Sequence, residues 1–326
     1  MFISYFCPMI ADKRIFAWGH SKRYKDFPTY FKKIFSGRVQ KVSIDAGFSC
    51  PNRDGTKGVG GCIYCNNISF QPSYCNLAES VSDQINQGIQ FFSKKYNSIQ
   101  FLAYFQAYTN TYAPLQYLKE LYEEALEHPQ IIGLVIATRP DCLPNDVLDY
   151  LASIAREKYV MVELGVESCE NSTLERINRG HTFEETITAF EKLAARKIHS
   201  GAHMILGLPG EDRATVLNQA RIISELPVEN IKLHQLQIQE NTLMAKQFHE
   251  NKLNFSLYET VDDYIEIVIE YLELLNPNIV VERFVSQAPS DMLISPKWGL
   301  KNFEFIAKVE KQLELKNTWQ GRLYMQ

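Results

Sequence analysis

The sequence of 326 residues has no long hydrophobic run and no strong excess of charge of one sign. No stretch approaches the roughly 20 apolar residues that a membrane-spanning helix needs. The apolar segment 1–11 lacks the basic lead-in and the small-residue cleavage site of a signal peptide, so we expect neither a signal peptide nor a membrane anchor. The formal net charge of −4 means that the chain as a whole does not require a nucleic-acid partner.

Cysteine is also scarce: there are seven, an odd number, and only three of them are clustered. This distribution argues against a secreted domain held by disulfides and favours a reducing compartment, so we expect a cytoplasmic protein. The clustered cysteines are Cys50, Cys62 and Cys65, in a glycine-rich segment. Three thiolates suit a four-iron cluster whose fourth iron is open to another ligand. A structural zinc site needs a fourth ligand, for which Cys75 is the candidate, and this alternative stays open.

From residue 39 onward, β-rich apolar segments alternate with amphipathic helical segments. Strands are predicted at 39–46, 98–106, 131–138, 159–165, 199–206 and 230–237, with helices at 80–95, 114–127, 145–157, 183–196 and 213–225. Six β-α units in this order imply a parallel sheet with right-handed crossovers. They are too few for a closed eight-stranded barrel, which leaves a partial barrel or an open doubly wound sheet. After residue 237 the alternation lapses, and a helix at 261–275, a short strand at 279–284 and a helix at 302–313 follow.

Polar residues follow the predicted strands at their carboxyl ends, where ligands bind in either fold. The candidate cofactor-binding residues at this edge are Tyr64, Gln106, Thr109, Asn110, Glu163, Glu167, Ser168, Arg179 and Leu208. Tyr64 offers an aromatic face to a purine, and Arg179 suits a carboxylate, although an ion pair between helices is its alternative role. Glu163 and Glu167 face one side of their strand, and an inward-facing carboxylate is costly to bury without a partner.

Several of these segments together resemble one known family. They are the cysteine loop, with eleven and two intervening residues, and the segments TRPD, VELGVES, NRGHT and HMILGLPGE. They resemble the radical S-adenosylmethionine (SAM) superfamily and, within it, the branch that contains the Elongator catalytic subunit. The run QKVSIDAGFSCPNRDGTKGVGGCIYCN is closer still to the small bacterial YhcC/YtqA-type family. The eleven-residue gap is typical of the Elongator branch, whereas three residues are commoner in the superfamily.

The resemblance implies an α/β fold, a partial (βα)6 TIM-type barrel with an N-terminal basic extension and a C-terminal α/β extension. The implied boundaries are 1–38, 39–240 and 241–326. It also implies that Cys50, Cys62 and Cys65 ligate a [4Fe-4S] cluster, and that SAM binds the open iron and yields a radical that abstracts hydrogen from a substrate. Gln106 begins the segment QAYT, where many members have Gly-Gly-Glu, so the residue that holds the SAM amino group stays open.

The Elongator resemblance implies a tRNA substrate, modified on a wobble-uridine side chain, and an electron-donating flavodoxin- or ferredoxin-type partner. Nine basic residues between positions 12 and 41 alternate with aromatic residues, which suits single-stranded nucleic acid or an amphipathic segment packed on the barrel. Cys142 and Cys169 follow predicted strands. Two roles are open for them: catalytic hydrogen donors, which is speculative, or small buried hydrophobic residues. Two alternative functions stay open: a radical SAM enzyme acting on a small metabolite or peptide, and a non-catalytic zinc- or cluster-bearing RNA-binding protein.

Overall fold

A computed structural model describes residues 14–35, 37–66, 72, 74–75, 79–94, 99–250, 252 and 258–325. The expectation about segment 1–11 therefore lies outside the described residues. None of the described helices combines the length and the apolar character that crossing a bilayer requires.

The described elements alternate between strand and helix through most of the chain. In order they are α1 (Phe27–Ile34), β1 (Arg38–Ile44), α2 (Val81–Ser93), β2 (Ile99–Phe105), α3 (Leu115–Glu127), β3 (Ile131–Thr138), α4 (Asn145–Ile154), β4 (Tyr159–Glu167), α5 (Asn171–Arg176), α6 (Phe183–Ala195), β5 (His199–Leu206), α7 (Arg213–Glu225), β6 (Asn230–Gln235), β7 (Ile238–Gln239), α8 (Leu243–His249), α9 (Val261–Leu274), β8 (Val280–Arg283), β9 (Leu293–Ser295) and α10 (Asn302–Leu315).

Helix starts carry the capping chemistry that their sequences encode. At α6 the Thr182 hydroxyl accepts from the Glu185 N–H at 3.3 Å, and the Glu185 carboxylate accepts from the Thr182 N–H at 2.8 Å. At α7 the Asp212 carboxylate accepts from the Thr215 N–H at 2.8 Å. These bonds satisfy N–H groups that a helix cannot pair internally, so they fix where each helix begins after its strand.

Seven strands form one parallel sheet in the order β1-β2-β3-β4-β5-β6-β8. The predicted six strands are all present, and β3 and β5 have the predicted bounds. The short C-terminal strand adds a seventh: β8 pairs in parallel with β6, with Asn230 opposite Val280. The predicted partial barrel is confirmed, since the sheet is curled into a half-barrel with helices around it.

The curl is visible in one ion pair between the two edge strands. Flat strands about 4.8 Å apart would separate β1 from β8 by roughly 29 Å over six steps. Lys41 Nζ on β1 nevertheless lies 2.7 Å from Glu282 Oε1 on β8. Both side chains therefore point into a common interior, and the carboxyl ends of the strands converge around its mouth.

The basic, aromatic segment near the N-terminus packs onto this barrel. Phe31 of α1 is 3% exposed and belongs to an interior cluster with Leu102, Tyr104, Val135 and Met161. Helix α1 contacts both β1 and β8, so it lies across the open side of the half-barrel. Its aromatic side chains are used for packing, which supports the amphipathic alternative for this segment.

Candidate functional site

A pocket opens at the carboxyl ends of the strands, and all three clustered cysteines line it. Its walls come from the loops after β1, β2 and β4 and from the interior faces of β5 and β6. Tyr64, Gln106, Thr109, Glu163, Glu167 and Arg179 also line it. Most of the candidate site residues predicted from the sequence therefore meet at the carboxyl ends of the strands.

The cysteine loop is held in shape by its glycines and by two asparagines. Gly60 and Gly61 have φ of 83° and 81°, a region that side chains with a Cβ rarely adopt. A Cβ on Gly61 would lie 2.8 Å from Arg53 Nε. The Gly61 N–H donates to the Asn52 carbonyl at 2.8 Å, and Asn178 Nδ2 donates to the Gly61 carbonyl at 2.8 Å. The loop is therefore anchored to the segment before α6.

Two guanidinium groups lie beside Cys62 and Cys65. Arg179 Nη1 lies 3.6 Å from Cys62 Sγ, and Arg53 Nη2 donates to the Cys65 carbonyl at 3.2 Å. Burial raises the pKa of Cys65 and the neighbouring Cys62 adds to this, while Arg53 and Arg179 oppose the rise. Positive charge of this kind favours thiolates, the form in which cysteine binds metal.

Within the described parts of the chain, no three His, Cys, Asp or Glu side chains are grouped as ligands of one metal ion. Cys75, the fourth ligand of the zinc alternative, also lines the pocket. Its thiol donates to the Ser43 carbonyl at 3.1 Å, and burial raises its pKa to about 12.

The TRPD segment forms a brace beneath Arg179. Arg139 donates from Nε and Nη2 to the two oxygens of Asp141, each at 2.9 Å, and from Nη1 to the Arg179 carbonyl at 2.7 Å. Lys57 Nζ lies 2.6 Å from the same carboxylate. Burial alone would raise the pKa of Asp141, but Arg139 and Lys57 lower it to about 2. Arg139, held by its ion pair with Asp141, therefore fixes the backbone at Arg179.

Arg179 itself is held by the end of β4. Its Nη2 donates to the Gly165 carbonyl at 2.6 Å and lies 3.4 Å from Glu167 Oε1, and its Nε donates to His181 Nε2 at 3.1 Å. Burial, with the charge of Arg179, lowers the pKa of His181 to about 3, so the ring is neutral and can accept. The strand has a register shift between Gly165 and Glu167, and Glu167 has φ of 68°. This irregularity brings the Glu167 carboxylate to Arg179.

Glu163 lies deeper and has three partners already. Its oxygens are 2.6 Å from Lys41 Nζ, 2.6 Å from Lys232 Nζ and 3.0 Å from His203 Nε2. Although burial opposes it, the two ammonium groups hold the pKa of Glu163 well below its usual range. Burial lowers the pKa of Lys232 to about 8, with Glu163 and Glu282 opposing the shift. This network forms a charged floor to the pocket.

Five predicted residues lie behind the pocket wall rather than on it: Asn110, Ser168, Leu208, Cys142 and Cys169. The Asn110 amide donates to the Ala137 carbonyl at 2.8 Å, which ties the loop after β2 to β3. The Ser168 hydroxyl donates to Glu211 at 2.5 Å. Cys169 packs in the main hydrophobic core, and burial raises the pKa of Cys142 to about 12. The structure therefore gives neither cysteine contact with the pocket.

One wall of the pocket was not predicted from the sequence; β6, β7 and the segment after β8 supply it. Its residues are Lys232, His234, Gln235, Gln237, Gln239 and Ser286. The available signal is the alternation of β6, in which Asn230, Lys232 and His234 share one face while Ile231 and Leu233 share the other. No pattern in the sequence indicates that Ser286 lines the pocket, because only the pairing of β8 with β6 brings it there.

Comparison with known proteins identifies the family. The Radical SAM superfamily model matches residues 52–221, and the Radical_SAM C-terminal domain model matches residues 228–315. The chain belongs to the radical SAM superfamily. Cys62 and Cys65 lie within the first match, and Cys50 lies two residues before it. The predicted membership is confirmed, as is the likeness to the YhcC/YtqA-type family: YtqA of Bacillus subtilis is 36% identical over 93% of each chain.

The chain is also similar to two proteins of Methanocaldococcus species. The solved structure of Methanocaldococcus infernus Elp3 with an N-terminal deletion has a TM-score of 0.66 and 16% identity, and the match covers 86% of this chain and 64% of that one. This likeness shows the shared fold. The tRNA uridine(34) acetyltransferase of Methanocaldococcus jannaschii is 27% identical over 59% of this chain and 34% of that protein.

Radical SAM enzymes use a [4Fe-4S] cluster and SAM, and this chain is a radical SAM enzyme. The non-catalytic alternative is thereby removed. The residues present fit the cluster: three thiols line one pocket, and arginines beside them supply positive charge for an anionic group. Three cysteine ligands leave one iron for SAM.

Proposed function

We propose that this radical SAM enzyme modifies tRNA on a side chain of the wobble uridine. The observation that carries the enzymatic part is the convergence of Cys50, Cys62 and Cys65 on one pocket beside Arg179. The relation to a tRNA uridine(34) acetyltransferase supports the substrate. A tRNA substrate also supports a cytoplasmic location, with a flavodoxin- or ferredoxin-type protein as the electron donor.

In this proposal, Cys50, Cys62 and Cys65 each hold one iron, and Arg53 and Arg179 balance the charge of the thiolates. When bound, the cluster and SAM supply a 5′-deoxyadenosyl radical that removes a hydrogen atom from the substrate. The chain contributes orientation and protection: such a radical requires a site without free water and with the target hydrogen in contact.

Residues between the cysteine loop and the end of β4 would hold SAM. Tyr64 offers its ring to the adenine, and Gln106, Thr109 and Glu167 offer hydrogen-bonding groups to the ribose and methionine parts. Arg179, already beside Cys62, would hold the SAM carboxylate. Asn110, Ser168 and Leu208 act as positioning residues, because they do not line the pocket and their hydrogen bonds hold its loops in place. Glu163 sets the charge of the pocket floor through Lys41 and Lys232.

The substrate is tested by mass spectrometry of tRNA nucleosides from a strain that lacks this protein. We expect one wobble-uridine species to disappear or to be replaced by its precursor. Expression of the wild-type chain should restore it, and the Cys62→Ala chain should not. A nucleoside profile identical to that of the parent strain would refute the tRNA substrate while leaving the radical SAM chemistry intact.

A further inference from the structure

A second cavity, of about 570 Å³, opens on the side of the half-barrel. It is lined by residues of α1, β1, β2, β8 and the end of α2, and its volume is within the usual range for ligand-binding pockets. This side pocket adjoins the pocket at the carboxyl ends of the strands (the strand-end pocket), because five described residues line both: Ser43, Pro72, Tyr104, Gln106 and Arg283. A molecule in the side pocket can therefore extend toward the strand-end pocket.

The described lining of the side pocket has an excess of positive charge. Four cationic side chains line it, those of Lys32, Arg38, Lys41 and Arg283, against one carboxylate, that of Glu282. Lys41 Nζ and Glu282 Oε1 are 2.7 Å apart, so these two charges balance each other. The other three cations favour an anionic ligand in the pocket.

Arg283 lies where the two pockets meet, and it has no counter-charge among the described residues. Its side chain is partly buried and makes no ion pair or hydrogen bond with any of them. The neighbouring interior charges are balanced, since the ammonium groups of Lys41 and Lys232 each lie 2.6–3.2 Å from two carboxylates, those of Glu163 and Glu282. A guanidinium carries five N–H donors and is costly to withdraw from water unpaired. Its partner is therefore expected to be a ligand with anionic oxygens.

Aromatic rings supply a stacking surface in the same side pocket. The ring centroid of Phe91 lies 5.7 Å from that of Tyr74 and 5.2 Å from that of Phe92, and all three residues line the pocket. Tyr74 is fixed on β1, because its hydroxyl accepts from the Ser43 N–H at 3.1 Å. Phe91 is 41% exposed, so part of this surface is open to a ligand. Aromatic rings that stack bases, beside cations that contact phosphates, are the combination by which proteins bind single-stranded nucleic acid.

We propose that the side pocket binds a nucleotide of a single-stranded RNA segment, with its phosphate on Arg283 and its base against Tyr74 and Phe91. The inference deepens the proposed function and rests on it for the identity of the nucleic acid as RNA. Because Arg283 lines both cavities, this nucleotide is the neighbour of the one whose base enters the strand-end pocket. Lys32 and Arg38 are exposed and extend the positive surface outward to further phosphates.

The test measures the binding of a labelled single-stranded RNA to the anaerobic holoenzyme by fluorescence anisotropy at several salt concentrations. Arg283→Gln breaks no observed bond and should weaken binding about tenfold, as expected for the loss of a charge-assisted contact. The plot of log K against log salt should become shallower by about 0.7, the contribution of one phosphate of a single strand. Phe91→Leu should weaken binding several-fold without changing this slope, because it removes stacking but no charge.

Arg221→Gln is the matched control, because Arg221 is an exposed arginine of α7 that lines neither pocket. It loses the same charge and should bind RNA like the wild type. Lys32→Gln changes an exposed residue of the side pocket, so its fold is not at risk, and it should also weaken binding, by a smaller factor than Arg283→Gln. Equal losses in Arg221→Gln and Arg283→Gln, or wild-type affinity and slope in Arg283→Gln, would overturn the proposal.

Other occupants are separated by two further measurements. A several-fold loss of SAM affinity in Arg283→Gln would assign the guanidinium to SAM. Displacement of the RNA by polyglutamate at equal charge concentration would assign the side pocket to acidic peptides, and either result would overturn the proposal. A nucleoside profile unchanged by gene loss, with Arg283-dependent RNA binding retained, would instead refute wobble-uridine modification and support the RNA site.

Discussion

Arg179 places its Nη1 3.6 Å from the sulfur of Cys62, although 117 residues separate the two in the chain. The same guanidinium donates to the Gly165 carbonyl at the end of β4. One side chain thus connects the cysteine loop to the strand end where SAM is proposed to bind. Four predictions follow from this geometry and from the buried charges around it.

Arg179→Lys should keep the positive charge but lose the fork that reaches Cys62, Gly165 and His181 together. We expect the free energy of unfolding of the metal-free protein to fall by about 2 kcal/mol, because hydrogen bonds of a buried charged group are lost. The control is Arg196→Lys, at an outer pair with Asp149, which should cost less than about 1 kcal/mol. Equal urea midpoints for the two variants would contradict a structural role for the fork.

Gly165→Ala should disturb the SAM side of the pocket without unfolding the barrel. A Cβ there would lie 2.4 Å from Arg179 Nη2 and 2.7 Å from Glu167 Oε1, so both side chains must move. An overpacking cost of about 1–3 kcal/mol corresponds to roughly 5- to 150-fold weaker SAM binding by equilibrium dialysis. Gly201→Ala on β5 is the control, because its Cβ would meet nothing closer than 3.4 Å. Wild-type SAM affinity in Gly165→Ala would count against the proposed SAM position.

Lys41→Met should destabilise the half-barrel strongly. The substitution leaves Glu163 and Glu282 with one ammonium partner, Lys232, in a buried site. Breaking a buried ion pair from one side costs about 3–5 kcal/mol. Urea unfolding followed by circular dichroism measures this loss, with exposed Lys32→Met as the comparison. A change of less than 1 kcal/mol would mean that the pair does not hold the edge strands together.

Glu211 gives the protein a predictable dependence on pH. It is 1% exposed, and burial raises its pKa to about 7, although the hydrogen bond from Ser168 opposes the rise. The unfolded chain therefore loses the Glu211 proton at a lower pH than the folded protein does. As a result, the free energy of unfolding falls as pH rises from about 4.5 to about 7. Glu211→Gln should be more stable than the wild type at pH 8, by up to about 3 kcal/mol, and nearly equal to it at pH 4.5. A difference in stability that is the same at both pH values would contradict the raised pKa.

The alternation of strands and amphipathic helices was enough to predict the partial barrel, because strands such as β3 are apolar along almost their whole length. The end of β4 was predicted too early. The bulge between Gly165 and Glu167 extends the strand to Glu167, and nothing in the local pattern encodes it. The seventh strand was recognised as a strand but not as part of the sheet, since its partners β6 and α1 are distant from it in the chain.

The site was predicted best where it depends on one loop and least where it depends on the curl of the sheet. Cys50, Cys62 and Cys65 are close in sequence, and their loop follows β1 directly. Glu163 was expected to meet SAM, a role that stays a prediction, and the curl brings Lys41 and Lys232 to its oxygens. Such partners come from strands distant in the chain, so the sequence alone could not name them.

The central claim is that Cys50, Cys62 and Cys65 hold the cluster at which SAM is cleaved. Release of 5′-deoxyadenosine by the reduced, anaerobically purified protein tests it most directly, with iron measured in the same samples. We expect about four irons per chain and 5′-deoxyadenosine formation for the wild type and for Cys75→Ala, and neither for Cys62→Ala. Iron and product retained in Cys62→Ala, or lost in Cys75→Ala, would contradict it.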